Sequence, residues 1–328
     1  MPVRPDTAPM EARSAAGLPT DPGWQFEPKW DGFRCLAFRD GEAIELRAKS
    51  GKSLARFFPE VAAALARLKQ RRFVVDGELL IPVGGVLSFE ALQMRLHPAQ
   101  SRIERLSRQL PARFMLFDCL LDAAGASLLS APLTRRRAAL EKFFKTAGAS
   151  GGLDLTPFTR ERTVAQGWLD RLTADLDGVV CKRLDGPYLP GERAMLKVKR
   201  IRTADCVVGG FRYAQGGKLV GSLLLGLYDE AGLLNHVGFT SAISDAERPA
   251  LTARLEALIA TPGFTGSAPG GPSRWSTERS GDWQPLRPKL VAEVRFDHVS
   301  GGRFRHGTRF IRWRPDKAPG QCRMEQIA

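Results

Sequence analysis

Glu27-Pro28-Lys29-Trp30-Asp31-Gly32-Phe33-Arg34 decides how the chain is read. These residues hold one lysine, two carboxylates, a glycine and an arginine, and apolar strand-like sequence follows at once. A lysine amine attacks only when neutral, and its ordinary pKa is about 10.4. Nearby cations or desolvation lower that value. Arg34, Lys49, Lys197 and Lys199 stand in places to supply such cations. The same groups would neutralise charge developing on an attacked phosphate. Lys29 is therefore read as a nucleophile that carries a nucleotide covalently.

Outward from this stretch, Arg34 to Arg39 and Glu42 to Arg47 flank Asp40-Gly41, a two-residue hairpin signal. Phe57-Phe58-Pro59-Glu60 opens a helix with Val61, Leu65 and Leu68 on one face. Phe73 to Ile81 and Arg113 to Leu120 read as buried strands that admit acids: Asp76, Glu78 and Asp118. Ser88 to Leu96 is a short helix with Ser88 as its N-cap. Leu133 to Lys145 and Arg160 to Leu172 have helical periodicity, with a loop over Ala147 to Gly152 between them. Asp177 to Lys182 is a strand that starts on an acid. Met195 to Lys199 is a short strand with both lysines on one side, since side chains alternate. Acids inside apolar strands are costly unless they are paired or hold a metal. The recurrence of Asp76, Glu78, Asp118 and Asp177 argues for one shared polar site, and hard oxygen donors suit Mg²⁺ or Mn²⁺.

After Arg200 the composition changes. Cys206 to Tyr213, Leu219 to Tyr228, Leu233 to Phe239, Leu290 to His298 and Thr308 to Trp313 are short, closely spaced strands. Ser244-Asp245 caps a helix to about Ile259, and Pro262 to Pro285 is loop. Such a set suits a small barrel, with an OB-fold as one candidate. Residues 1–22 read as an irregular lead-in.

The 328 residues suffice for two cores, and a hydrophobic content of 43% is ordinary for a globular protein. A net charge of +14 favours polyanionic partners, nucleic acid ahead of an acidic membrane surface. Five cysteines without a CxxC pair argue against zinc and a disulfide framework and suit a reducing cytoplasm. No apolar run approaches the roughly 20 residues of a membrane span, and Met1 to Thr20 lacks the apolar core of a secretory signal.

The whole ordered set, from about Gly23 onward, resembles the covalent nucleotidyltransferases, specifically ATP-dependent DNA ligases of the short bacterial ligase C type. Lys29-Trp30-Asp31-Gly32-Phe33-Arg34 looks like the KxDGxR motif, whose lysine is adenylated. Ala48-Lys49-Ser50-Gly51 occupies the place of an SRxG-like motif, with Lys49 for arginine. Asp76-Gly77-Glu78 looks like the motif whose Glu contacts ribose or metal, and Phe117-Asp118 like the pair whose ring stacks on adenine. Asp177-Gly178-Val179-Val180 fits an EGVV-type motif with Asp for Glu. Lys197-Val198-Lys199 matches the motif that binds the α-phosphate, and Arg314-Pro315-Asp316-Lys317 the RxDK motif of the second domain.

The resemblance implies an α+β fold: an ATP-grasp-like adenylation domain over residues 23–201 and an OB-fold β-barrel over 202–328. It implies catalytic roles for Lys29, Asp31, Lys197 and Lys199. Nucleotide contacts would come from Glu27, Arg34, Lys49, Glu78, Phe117, Arg314 and Lys317 as well as the two lysines, and metal contacts from Glu78 and Asp177. The implied substrates are ATP and nicked double-stranded DNA, with Mg²⁺ or Mn²⁺, acted on by a cytoplasmic monomer. The RxDK segment would reach the pyrophosphate by domain closure and then swing away for DNA. No further DNA-binding, polymerase or nuclease module is evident, which favours repair over bulk replication. An RNA ligase and a GTP-using capping enzyme are the alternatives within the superfamily. A non-catalytic OB-fold nucleic-acid-binding protein is the alternative from another class.

Overall fold

The computed structural model describes residues 1–147, 151–170, 176–199, 202–270 and 282–327. The chain divides into two compact units, Met1–Arg200 and Ile201–Ala328. The first begins with β1 (Ala12–Ala15), β2 (Trp24–Trp30), β3 (Phe33–Asp40), β4 (Ala43–Ala48), α1 (Pro59–Ala66) and β5 (Arg72–Leu80). A small hairpin of β6 (Pro82–Val83) and β7 (Val86–Leu87) precedes α2 (Phe89–Arg95), α3 (Gln100–Gln109) and β8 (Arg113–Cys119). Then come α4 (Leu133–Ala147), β9 (Leu153–Leu155), α5 (Arg162–Asp170), β10 (Leu176–Arg183) and β11 (Met195–Val198).

Two sheets result, one in the order β1-β11-β10-β2 and the other in the order β4-β3-β5-β8-β9. Period-2 alternation decides what each face carries. On β3 and β5, Cys35, Ala37, Phe73, Val75 and Leu79 enter the core shared with α1 and α4, which also takes in Leu65, Leu140 and Phe143. The alternate positions, Leu36, Phe38 and Val74, join Met10, Tyr188 and Met195 in a second core between the sheets. Arg34, Asp76 and Glu78 continue that inner face, with Arg34 opposite Glu78 in the β3–β5 register. The outer side of the first sheet packs Phe26, Val179 and Cys181 against Ala165 and Leu169 of α5. The layers therefore run helix, sheet, sheet, helix, and acids and cations meet where the inner faces meet.

Close backbone approach explains two glycines of the motifs. A Cβ on Gly32 would stand 2.3 Å from the Leu79 carbonyl oxygen, so only glycine lets the β2–β3 corner lie on β5. Gly178 has φ +144 and its Cβ would stand 2.1 Å from the Val198 oxygen. Its bare Cα lies opposite Lys29 in the β10–β2 register.

The second unit holds β12 (Arg202–Tyr213), β13 (Val220–Tyr228), β14 (Leu234–Thr240), α6 (Arg248–Glu256), β15 (Gln284–Pro285), β16 (Val291–Phe296), β17 (Val299–Ser300), β18 (Arg303–Phe304) and β19 (Arg309–Trp313). Its main sheet runs β14-β13-β12-β16-β19, with β15 also on β12, and among the described residues β17 pairs only with β18. The expected OB-fold barrel is not found. The described sheet is open, with β14 and β19 at its edges, and a single bridge from Thr240 to Thr308 does not extend into a ladder. Strand spacing announces strands; closure depends on tilt, stagger and edge pairing, which spacing does not encode.

Other expectations divide. The hairpin at Asp40-Gly41, the strands at β5, β8, β10 and β11 and the α2 cap are present, with Ser88 Oγ accepting from Ala91 N at 3.2 Å. The lead-in is not irregular throughout: β1 pairs in parallel with β11, from Ala12 with Met195 to Ala15 with Val198. No helix was expected at α3. The last helix starts after Glu247 with no side-chain cap, in place of the Ser244-Asp245 cap. Parts of the expected loops at Ala147 to Gly152 and Pro262 to Pro285, and the end of the Arg160 to Leu172 helix, lie outside the described residues. All five cysteines are buried thiols.

Candidate active site

A cavity of about 210 Å³ opens between the two sheets of the first unit. From the first sheet, Glu27, Lys29, Lys182 and Lys197 line it; from the second come Arg34, Glu78 and Phe117. Register explains the first group. Glu27 and Lys29 are two apart on β2, and Glu27 lies opposite Val180, which in turn lies opposite Lys197. One face thus carries the acid, the candidate nucleophile and a second lysine.

Lys29 Nζ lies 2.5 Å from Asp177 Oδ2, and Lys199 Nζ reaches the same oxygen at 2.9 Å. Asp177 is nearly buried, at 6% exposure, whereas the lysine side chains are about a quarter exposed, at 25% and 26%. Lys197 has its pKa lowered by burial first and then by the Lys29 and Lys199 charges. Glu78 stands across the cavity wall. Burial pushes its carboxyl up to about 7 against the pull of Arg34 and Lys29. Asp31 lies outside the cavity lining, in the turn before Gly32, and its charge also raises Glu78.

Arg34 sends Nε and Nη2 to the two oxygens of buried Asp76, at 2.6 Å each, and a third bond to the Met10 carbonyl at 3.2 Å. Asp76 also accepts from Tyr188 Oη at 2.6 Å, and Tyr188 Oη accepts from Met10 N at 2.9 Å. The guanidinium carbon of Arg34 sits 4.5 Å from the Phe117 ring centre, and Lys182 Nζ lies 4.8 Å from it. Such cation–ring pairs hold an aromatic platform in place.

The four strand acids do not share one site. Asp76 serves Arg34, and Asp118 is withdrawn behind the sheet, where it accepts from Arg136 at 2.8 and 3.2 Å. Lys49 pairs with Glu11 at 2.9 Å. Arg314 and Lys317 belong to the second unit and both bond Asp205 of β12, at 2.9 and 2.6 Å.

Sequence reasoning missed Met10 and Glu11, which lie in a Pro- and Ala-rich stretch without strand signal. It missed Tyr188, placed by a loop. It also passed over Lys182, although alternation from Val180 puts it on the cavity face.

Both halves of the chain match known families. The ATP dependent DNA ligase domain matches residues 10–199, and the ATP dependent DNA ligase C terminal region matches residues 216–317. DNA ligase C2 of Mycolicibacterium smegmatis is 44% identical over 344 residues, spanning 100% of this chain and 96% of its own. DNA ligase C of Mycobacterium tuberculosis is 41% identical over 343 residues, spanning 100% and 95%. The crystal structure of the ligase domain of M. tuberculosis LigD shares 29% identity at a TM-score of 0.51, covering 97% of this chain and 98% of that one. A mycobacterial DNA ligase D complexed with ATP and MES shares 28% identity at a TM-score of 0.50 with the same coverage.

The chain belongs to the ATP-dependent DNA ligases. It is an enzyme that binds ATP and joins DNA, of the kind represented by the bacterial ligases C and D. Among the described residues no helix is long and apolar enough to cross a membrane.

Proposed function

We propose that the enzyme seals nicks in duplex DNA through a lysyl-AMP intermediate on Lys29. The observation that carries this reading is the Lys29–Asp177–Lys199 group at a cavity that also presents a ring and a buried acid. An ammonium has no lone pair, so Lys29 must first lose a proton, and Asp177 Oδ2 is the adjacent acceptor. Nζ then attacks the α-phosphorus of ATP. The Nζ–P bond forms, the bond to the bridging oxygen breaks, and pyrophosphate leaves. A 5′-phosphate oxygen of the nick next takes the AMP and frees Lys29. Finally the 3′-OH attacks that phosphate, closing the phosphodiester and releasing AMP. Covalent storage splits one difficult step into easier ones.

Lys197 and Lys199 neutralise charge on the α-phosphate. Phe117 is the stacking platform for adenine, Glu27 accepts from its amino group, and Arg34 and Glu78 hold the ribose. Asp31 acts through its charge beside Glu78, and Lys49 takes part at the phosphate side with charge but without a bidentate fork. Arg314 and Lys317 assist the pyrophosphate in the first step only.

The donor chemistry fits Mg²⁺ or Mn²⁺, which would neutralise phosphate charge when bound. Asp177 and Glu78 are the oxygen donors that would hold it. Among the described residues no cluster of three His, Cys, Asp or Glu gathers as a cage. The remaining oxygens of a hard cation would come from phosphates and water. A cytoplasmic monomer working in DNA repair completes the reading. Its support is the cationic chain together with relatives that include multifunctional non-homologous end joining DNA repair protein LigD of M. tuberculosis, 32% identical over 96% of this chain and 39% of that protein.

The test is to supply α-labelled ATP or GTP with Mg²⁺, and then either a nicked duplex or single-stranded RNA ends. The expected result is an AMP adduct that is discharged by the nicked duplex. A GMP adduct, or discharge only by RNA, overturns the reading.

A further inference from the structure

The end of the cavity where Glu27 and Phe117 stand contains an ion pair whose lysine has no role assigned above. Glu27 and Lys182 are 2% and 3% exposed, and Lys182 Nζ lies 2.7 Å from Glu27 Oε2. The other carboxylate oxygen, Oε1, accepts from Gln25 Nε2 at 2.8 Å. Gln25 and Lys182 are direct register partners across β2 and β10, so both donors approach Glu27 along one face of the sheet. Lys182 also donates to the Phe117 carbonyl at 3.1 Å and lies 4.8 Å from the Phe117 ring centre. One ammonium therefore ties the acid to the platform, and Glu27, Lys182 and Phe117 all line the cavity.

A carboxylate held between two donors has one remaining capacity, which is to accept. Its free lone pairs match a purine edge that offers N–H. They oppose an edge that offers an oxygen, because two acceptors would face each other at a carboxylate that is only 2% exposed. We propose that Lys182 is a positioning residue that selects a 6-aminopurine nucleotide by fixing Glu27 as an acceptor at the base edge. The proposal rests on the reading of Glu27 as the base contact. Without Lys182, Glu27 is free to turn its acceptor oxygens away from the base edge, and a 6-oxopurine is then tolerated.

Inosine triphosphate differs from ATP at this edge, with an oxygen in place of the amino group. The experiment measures kcat/KM for covalent adduct formation with ATP and with inosine triphosphate, in the wild type, Lys182→Met, Glu27→Gln and the double variant. The ATP preference is expected to shrink at least about tenfold in Lys182→Met. It should shrink similarly in Glu27→Gln, whose amide can donate to a 6-oxo group, and the double variant should fall no further than Glu27→Gln. General damage to the fold lowers both substrates together and leaves their ratio intact. A ratio that holds in Lys182→Met but shrinks in Glu27→Gln overturns the role of Lys182 and leaves that of Glu27. A ratio that holds in every variant removes the Glu27 reading itself. If Lys182→Met does not fold, the double variant, which removes both charges, decides. A ratio below that of Glu27→Gln alone shows that Lys182 acts independently of Glu27 and overturns the proposal.

Discussion

The two units each hold a knot of lysines, arginines and acids, and the knots differ in charge balance. At Lys29 two ammonium groups, those of Lys29 and Lys199, share one carboxylate oxygen of Asp177, and the charge of Lys197 is felt beside them. Glu78 nearby is held up to about 7 and so carries only part of a charge near neutral pH. Around Arg314 the charges cancel. Arg312, Arg314 and Lys317 face Glu293, Asp205 and Asp316, through Arg312–Glu293 at 2.7 Å, Arg314–Asp205 at 2.9 Å, Arg314–Asp316 at 2.8 Å and Lys317–Asp205 at 2.6 Å. The first knot shares one acid between two cations and should attract a polyphosphate as it stands. The second must give up acids before its cations can serve an anion. A motif rich in cations is therefore no measure of readiness; the neighbouring carboxylates decide.

Glu78→Gln probes the first knot hardest. Adduct formation should fall by about 100-fold or more, since an amide carries no charge and cannot replace a carboxylate in the site. Stability should move the other way. A carboxyl whose folded pKa is raised favours the native state below its unfolded value near 4.5, and that contribution is lost as pH rises through about 7. In nucleotide-free protein at pH 8, Glu78→Gln should therefore be more stable by on the order of 2–3 kcal/mol, with little difference at pH 4.5. Urea unfolding at the two pH values measures this. An equal effect at both would show that Glu78 is not strained.

Asp205→Asn probes the second knot and should act more weakly. Arg314 and Lys317 are part-exposed, at 19% and 25%, so the loss of their shared acid should cost about 1–2 kcal/mol. Because the variant frees Lys317 and leaves Arg314 to Asp316 and Glu293, the KM for ATP in adduct formation should fall about two- to fivefold, the smallest of these effects. A KM that rises instead would mean that Asp205 organises these cations for ATP and does not withhold them.

Much of the first unit was legible because alternation is a local signal. Arg34, Asp76 and Glu78 sit at positions whose apolar neighbours, Cys35, Val75 and Leu79, must face the helices, so the polar residues had to face inward. Lys29 was legible through its company of Asp31, Gly32 and Arg34, and the structure explains the glycine by the carbonyl of Leu79. Long-range pairing was not legible. Nothing in the sequence of Met10 and Glu11 announces that β1 will run beside β11, or that Met10 will meet Tyr188 and Arg34. Asp118 looked like Asp76, yet Arg136, from a helix eighteen residues on, claims it. The open sheet of the second unit failed for the same reason, since what becomes of an edge strand depends on partners distant in the chain.

The central claim is that Lys29 is the residue that carries the nucleotide. Incubation with α-labelled ATP and Mg²⁺, followed by digestion and mass mapping of the labelled peptide, tests it directly. The account predicts one AMP on Lys29 Nζ, as an acid-labile phosphoramidate, and no adduct in Lys29→Ala. An AMP mapped to Lys197, Lys199 or any other residue, or a labelled adduct that persists in Lys29→Ala, would contradict it.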